Sequence, residues 1–392
     1  MAYTDSSAIA GLIKTAYDRY VEFALRAQPL IRSVADKRPA QQAMPGSSVV
    51  FSIYNDLSPA TASLAETTDP DAVALSDVTT VSVTLNEYGN ASLVTRKLQL
   101  FSLSDVDPAV ADIIAFNMAD SLDRLAMETL RAGTNVIYSA SSTARTSTAT
   151  VTATDTITAA NLRKAVAKLR ANKAVPREGS LYWTGIHPEV SHDLRAETGS
   201  GGWQDLHKYA ETGQGQFWAG NIGTFEGSMF IETPRMYRGV DGADASALAT
   251  TAVTVAGTSG GLTLGVASSS VIATSAEAGD KISGTGIASG AKITSLVTSG
   301  STTTITVDTV HTAAVTATTV VTVTPLTAVY RTIVAGKQAL AEAVAQEPNV
   351  VIGPVTDRLL RFRPIGWYGV LGFSRYREAA LYRIESSSSI QN

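Results

Sequence analysis

The stretch from His187 to Tyr209, HPEVSHDLRAETGSGGWQDLHKY, concentrates residue types that bind metals or move protons. It holds three of the chain's four histidines, His187, His192 and His207, among Glu189, Asp193, Glu197 and Asp205. A helical zinc-protease site needs histidines at i and i+4 with a glutamate between them. His187 and His192 are five residues apart, which on a helix turns them ~140° from each other. His207 lies across a Gly-rich turn from both. The spacing does not demand a metal, and satisfied structural histidines are the simpler reading. A triad of Ser191, His192 and Asp193 is disfavoured as well, because triads are assembled from distant segments.

Other motifs fare no better. GTSGG (257–261) matches the G-x-S-x-G nucleophile elbow, but the elbow needs a helix after it, and LTLGVASSS has no helical period. GTGIASG (284–290) lacks the spacing and the following helix of a phosphate cradle. With no cysteine in the chain, thiolate chemistry and disulfides are excluded. Arg96-Lys97 and Arg361/Arg363 could meet phosphate, yet such residues are more often solvated. The sequence thus offers no catalytic group, no cofactor site and no metal site, and a non-enzyme is expected.

The elements that would hold these residues fall into two kinds of material. Across 392 residues the chain is 44% hydrophobic and only 17% charged, with a net charge of −4. That supports a real core and lacks the basic excess of a dedicated nucleic-acid binder. No basic-then-apolar leader opens the chain and no run of ~18 apolar residues interrupts it, so a soluble chain folded in cytoplasm is expected, without a membrane span. Apolar spacing over 7–35 predicts a helix that Pro29 breaks. VVFSIY (49–54), TVSVTL (80–85) and ASLVTRKLQLF (91–101) predict strands, the first two separated by an acidic polar loop at 66–77. Asp107, Pro108 and Gly133 bracket a long helix, and Thr158 and Pro176 a second over about 159–173. Residues 241–325 contain no aromatic residue and no arginine, although the chain holds 26 aromatics, and five acidic residues against two lysines give them a net −3. Alternating Val, Ile and Thr between Gly-Ser turns predict a small β-sandwich inserted at an exposed loop of a host domain.

The segments HPEVSHDLRAE, GWQDLHKYAE and GNIGTFEGSMFIETPRM together resemble the central signature of the N4-like family of tailed-phage major capsid proteins. LNEYGNASLVTRKL (85–98), VAGKQALAEA and the C-terminal GWYGVLGFSRYREAALYRIES resemble further parts of the same family, so the likeness covers most of the chain outside 241–325. It implies an α+β, HK97-like (Hong Kong 97) capsid fold. The expected parts are an N-terminal arm at 1–46 and an extended E-loop at 47–100. A peripheral domain follows at 101–184 and 346–392, with a spine helix about 108–132. An axial domain at 185–240 and 326–345 hosts an immunoglobulin-like all-β sandwich at 241–325. The candidate intersubunit contacts are Phe51, Tyr54, Glu66, Asp69, Glu87, Tyr88, Arg96, Lys97, Trp203 and Trp218.

The function so implied is self-assembly into hexamers and pentamers of an icosahedral shell around double-stranded DNA, assembled in the host bacterial cytoplasm. The family further implies a portal, optional decoration proteins and non-specific contact with packaged DNA. No long charged helical domain precedes the arm, so a separate scaffolding protein is expected, and the start at Met1 argues against removal of a propeptide. Three rivals are an encapsulin-like compartment with the same fold, an adhesin built on the β segment, and a hydrolase using the histidines.

Overall fold

The computed structural model describes residues 28–39, 48–54, 78–101, 106–141, 143–197, 221–245, 250–354 and 361–390, with a few single positions between them. The expected N-terminal helix falls almost wholly outside these residues. After Pro29 the chain makes a 3-10 turn at Ile31–Val34 and enters β1 (Ala35–Pro39). β2 (Ser48–Ile53) and β3 (Thr79–Thr84) pair antiparallel from Ser48↔Thr84 to Ile53↔Thr79. Their alternation puts Phe51 and Val83 on one face, where both are buried. β4 (Asn86–Thr95) follows at once. The strand expected to run to residue 101 stops there, because RKLQLF forms helix α1 (Arg96–Phe101). The Thr95 hydroxyl opens that helix by accepting from Leu98 N at 3.2 Å.

Helix α2 (Val106–Arg131) spans 26 residues where Asp107, Pro108 and Gly133 predicted a long helix, a length of ~39 Å. Ile114, Met118, Leu122, Ala126 and Leu130 recur at every fourth position. Such a row runs inclined to the helix axis, so successive residues meet different partners. Ile114 and Met118 share a cluster with Ile365 and Trp367, and Leu122 shares one with Val344 and Leu371. Ala126 and Leu130 pack with Ile31, Val34 and Leu340. Gly133 N donates to Leu130 O at 3.2 Å and ends the helix.

The chain continues through β5 (Val136–Tyr138), α3 (Ala159–Ala171), β6 (Tyr182–Ile186), α4 (Pro188–Ala196), β7 (Asn221–Phe225), β8 (Ser228–Glu232) and β9 (Arg238–Asp244). Thr158 holds the cap position of α3, but its side chain makes no cap bond; Glu197 Oε2 accepts from Ala159 N at 2.8 Å instead. Lys173, at φ 56°, turns the backbone left-handed and stops the helix ahead of Pro176.

Next come β10 (Thr251–Val255), β11 (Thr263–Ala267), α5 (Val271–Ser275), β12 (Lys281–Gly284), β13 (Ile293–Ser299), β14 (Thr302–Val307) and β15 (Val320–Thr324). The strands expected here as an all-β sandwich follow the order β12-β15-β10-β11-β14-β13, in which β10 belongs both to a ladder with β15 and β12 and to one with β11, β14 and β13. A register shift between Val253 and Val255 bends the sheet. The Lys281–Lys292 bridge then brings the β12 edge to the start of β13. The sheet curls round its own core of Val253, Leu264, Val266, Ile282, Ile305 and Val323.

Four long strands close the structure: β16 (Leu326–Ala335), β17 (Leu340–Ile352), β18 (Phe362–Arg375) and β19 (Leu381–Ser386). β16 is nearly continuous in burial and is the centre of the larger sheet, β5-β19-β16-β6-β8-β7, with β9 also on β16. Leu326 pairs with Asp244, so the curled sheet leaves and rejoins the body at adjacent points. α3 packs on this sheet through Leu162 and Leu169, beside Tyr182, Phe230 and Tyr330. Each such fully buried side chain contributes ~1.5–3 kcal/mol. The second sheet, β1-β17-β18-β4, carries α2 and the β2–β3 hairpin.

Candidate functional site

The histidine segment resolves into helix capping and packing. His187 precedes Pro188 at the first helical position of α4, and its Nδ1 accepts from Glu189 N at 3.3 Å. Its ring lies 5.0 Å from that of Tyr330. Burial pushes the imidazole below its ordinary value, against the pull of Glu189. The Tyr330 hydroxyl donates to the Glu189 carboxylate and accepts from Arg238 Nε at 3.2 Å. Burial and then the Glu189 bond push that hydroxyl up to about 12. Ser191 Oγ lies 2.9 Å from Glu232 Oε2, while the Asp193 carboxylate accepts from Ser389. His192 Nδ1 lies 3.4 Å from Asp193 Oδ1, but Ser191 turns away to Glu232, so the three do not line up as a triad. His192 is exposed, and His207 lies outside the described residues. Among the described residues no group of three His, Asp or Glu side chains could hold a metal. GTSGG forms the turn between β10 and β11, with Gly260 at φ 74°, and a strand follows it.

The candidate contact residues divide by exposure. Tyr54 is 80% exposed at the end of β2, and Glu87, Arg96 and Lys97 face solvent. Phe51 does not: at 3% exposure its ring sits 5.5 Å from Tyr376 over Ala341 and Ala343. Phe51, expected as an intersubunit contact, thus anchors the β2–β3 hairpin on the body of its own chain. Tyr88 is half-buried beside α2, sharing clusters with Trp367 and Leu371. Glu66, Asp69, Trp203 and Trp218 lie outside the described residues. The sequence reading missed Leu98, Leu100 and Phe101 of α1, which stand 50%, 72% and 79% exposed, close to β4 with Leu93 at 62%. They give the outer end of the β4 sheet an apolar surface.

Buried carboxylates, also missed, tie distant segments together. Asp123 of α2 accepts from Ile31 N at 2.6 Å and Arg32 N at 2.9 Å. Burial raises its carboxyl, and those amides and Arg235 oppose the rise. Arg32 reaches the fully buried Glu342 at 2.5 Å. Glu385, also fully buried, meets Arg331 and Arg383, each at 3.0 Å. Asp155 accepts from Arg145 Nε at 2.7 Å and from the amides of Thr152 and Ser141. Burial alone would raise Asp155, but these donors outweigh it and hold the carboxyl well below the usual range. These buried ion pairs lie inside the body, while exposed strands and an apolar end lie on its surface.

Solved phage capsids share this architecture. The Cyanophage Pam1 capsid subunit matches with a TM-score of 0.63 at 11% identity, covering 99% of this chain and 100% of that one. The acid-stable capsid of Helicobacter pylori bacteriophage KHP30 gives 0.58 at 13% identity, covering 99% of both chains. The capsid of Ralstonia phage GP4 gives 0.58 at 12%, covering 97% of both. No curated protein matches by sequence. The fold is therefore that of a viral shell subunit. A family model described as phage capsid protein matches residues 18–388, and the chain belongs to that family. It is a major capsid protein of a bacteriophage, a self-associating structural component of the virion shell, and the encapsulin alternative is not favoured. Among the described residues no helix is long and apolar enough to cross a membrane.

Proposed function

We propose that this chain forms the hexamers and pentamers of an icosahedral shell around double-stranded DNA, in the N4-like branch of capsid proteins. The observation that carries the reading is the β2–β3 hairpin, anchored by Phe51 at its base and directing Tyr54 outward. An arm of this kind gains order by lying across a neighbouring subunit, with Glu87, Arg96 and Lys97 available beside it. In this reading residues 1–46 form the N-terminal arm and 47–100 the E-loop, with α2 as the spine of the peripheral domain. β7, β8 and β16 of the larger sheet fall in the axial domain so assigned, while β5 and β19, which pair onto it, come from the segments assigned to the peripheral domain (101–184 and 346–392). Residues 241–325 are a β module inserted between β9 and β16. The adjacent pairing of Asp244 and Leu326 supports an insertion. A portal and a separate scaffolding protein complete the assembly, with decoration proteins as optional partners and DNA contacts that are non-specific.

Electron microscopy of the purified assembly, with its absorbance ratio at ~260 and ~280 nm, tests the reading. Closed polyhedral shells rich in nucleic acid are expected. Shells that always contain protein cargo and no genome would point to a compartment, and a small species without shells would overturn the proposal.

A further inference from the structure

The β module ends its sheet on an edge that soluble proteins normally protect. β13 (Ile293–Ser299) is last in the strand order; Ile293 exchanges main-chain bonds with Gly279 and Asp280, and from Thr294 to Ser299 the strand's sheet partner among the described residues is β14. Thr294, Val297, Thr298 and Ser299 are exposed, Val297 to 60%. Such an edge presents unpaired main-chain groups, and proteins blunt it with lysine, proline or a covering element. From Ile293 to Val307 the sequence ITSLVTSGSTTTITV carries no charge and no proline.

The charge distribution says what could meet this edge. Although the module is acidic, its charges gather toward its root. Lys281 pairs with Asp244, Glu277 with Arg238, and the Asp280 carboxylate accepts from Leu326 N at 3.1 Å. Lys292 bridges to Lys281 and its amide donates to Asp308 at 2.8 Å. Two copies meeting along β13 would bring no like charges together. The outer rows Ser295–Thr306–Thr263 and Val297–Thr304–Gly265 are neutral and small, and would leave an approaching strand unobstructed. A sugar-binding face would be expected to use aromatic rings, and the module has none.

We infer that β13 pairs antiparallel with β13 of a second copy about a two-fold axis near Val297, joining two sheets across the outer lattice. Identical edges meeting on a two-fold form an isologous contact, and main-chain hydrogen bonds supply it by strand addition. The inference rests on the capsid-shell reading, in which each module is held beside others at high effective concentration.

The absence of cysteine gives a clean test. Val297→Cys is introduced into the full chain, with Ser275→Cys on the exposed part of α5 as control, and assembled shells are oxidised and run without reductant. A chain dimer from Val297→Cys shells and not from the control is the expected result, because paired strands bring Cα atoms within disulfide reach of ~4.4–6.8 Å. Well-formed shells that yield only monomer would overturn the pairing, and a cross-link to a different protein would assign the edge to another partner and overturn it too. Should Val297→Cys not assemble, Val297→Lys compared with Ser275→Lys decides it. Lower melting of the Val297→Lys shells alone supports the contact, and equal melting overturns it. Failure of the unmodified chain to make shells would instead count against the capsid reading.

Discussion

The body of this capsid subunit and its β module reach stable β structure by different chemistry. The body buries Tyr182, Phe230 and Tyr330 in one core and stitches remote segments through buried carboxylates such as Asp123, Glu342 and Glu385. The module uses Val, Ile and Leu around a curled sheet, with neither aromatic nor arginine. The first scheme ties sequence-distant pieces to one another, since Arg32 meets Glu342 and Phe51 meets Tyr376. The second is nearly self-contained, because every partner in its sheet comes from residues 251–324. This subunit combines the two: a body held together across its length, and an added unit whose sheet is built from its own strands.

The largest expected effect lies in the body. Phe230→Ala removes a fully buried ring from beside Leu162 and Tyr330, at a cost of ~3–5 kcal/mol. Denaturation of the unassembled subunit, followed by tryptophan fluorescence, should show a lower midpoint. All four tryptophans lie outside the module, so this signal reports on the body alone. An unchanged midpoint would mean that the aromatic core is not what holds the body together.

A smaller effect, with a pH signature, is expected at Asp155. Its carboxyl is fully buried and its folded value lies below the ordinary 3.8. The contribution is therefore complete above the unfolded value and is lost as pH falls from there toward the folded value. Asp155→Asn should lose ~1.5–3 kcal/mol at neutral pH, the scale of hydrogen bonds to a charged group. It should also flatten the acid limb of the stability curve below about pH 4. Asp123, raised by burial, has the opposite sign: its contribution is complete below the unfolded value and is lost as pH rises through the folded one. Asp123→Asn should therefore flatten a different part of the same titration of stability.

How much of this was legible in the sequence follows the same division. The long helix was readable because Pro108 and Gly133 bracket it, and the module because its composition breaks so sharply with its flanks. α1 was misread as strand because Leu98 and Leu100 alternate. What overrides the alternation is the end of the partner: β18 begins at Phe362 opposite Thr95, and past the bond from Arg96 N to Arg361 O no described strand pairs with residues 97–101. Phe51 looked free because Tyr376, which covers it, lies in a remote segment. His187 did carry a local signal, a cap position before Pro188 with Glu189 in the first turn. The curl of the module was not readable, since alternation fixes which face is buried but not which strands are neighbours.

The smallest expected effect tests the module's independence. Ile305 is fully buried among Val253, Leu264 and Val321. Ile305→Val removes one methylene without changing the branching at Cβ, so the strand preference is kept and only packing is lost. The expected cost is ~0.5–1.5 kcal/mol. Because the module shares its sheet with no strand of the body, the loss should appear as faster amide exchange within 251–324. Exchange in α2 and β16 should stay as in the unmodified chain. Exchange that quickens in β16 as well would show that the pairing of Leu326 with Asp244 transmits the module's stability into the larger sheet, and the two regions would have to be treated as one cooperative unit.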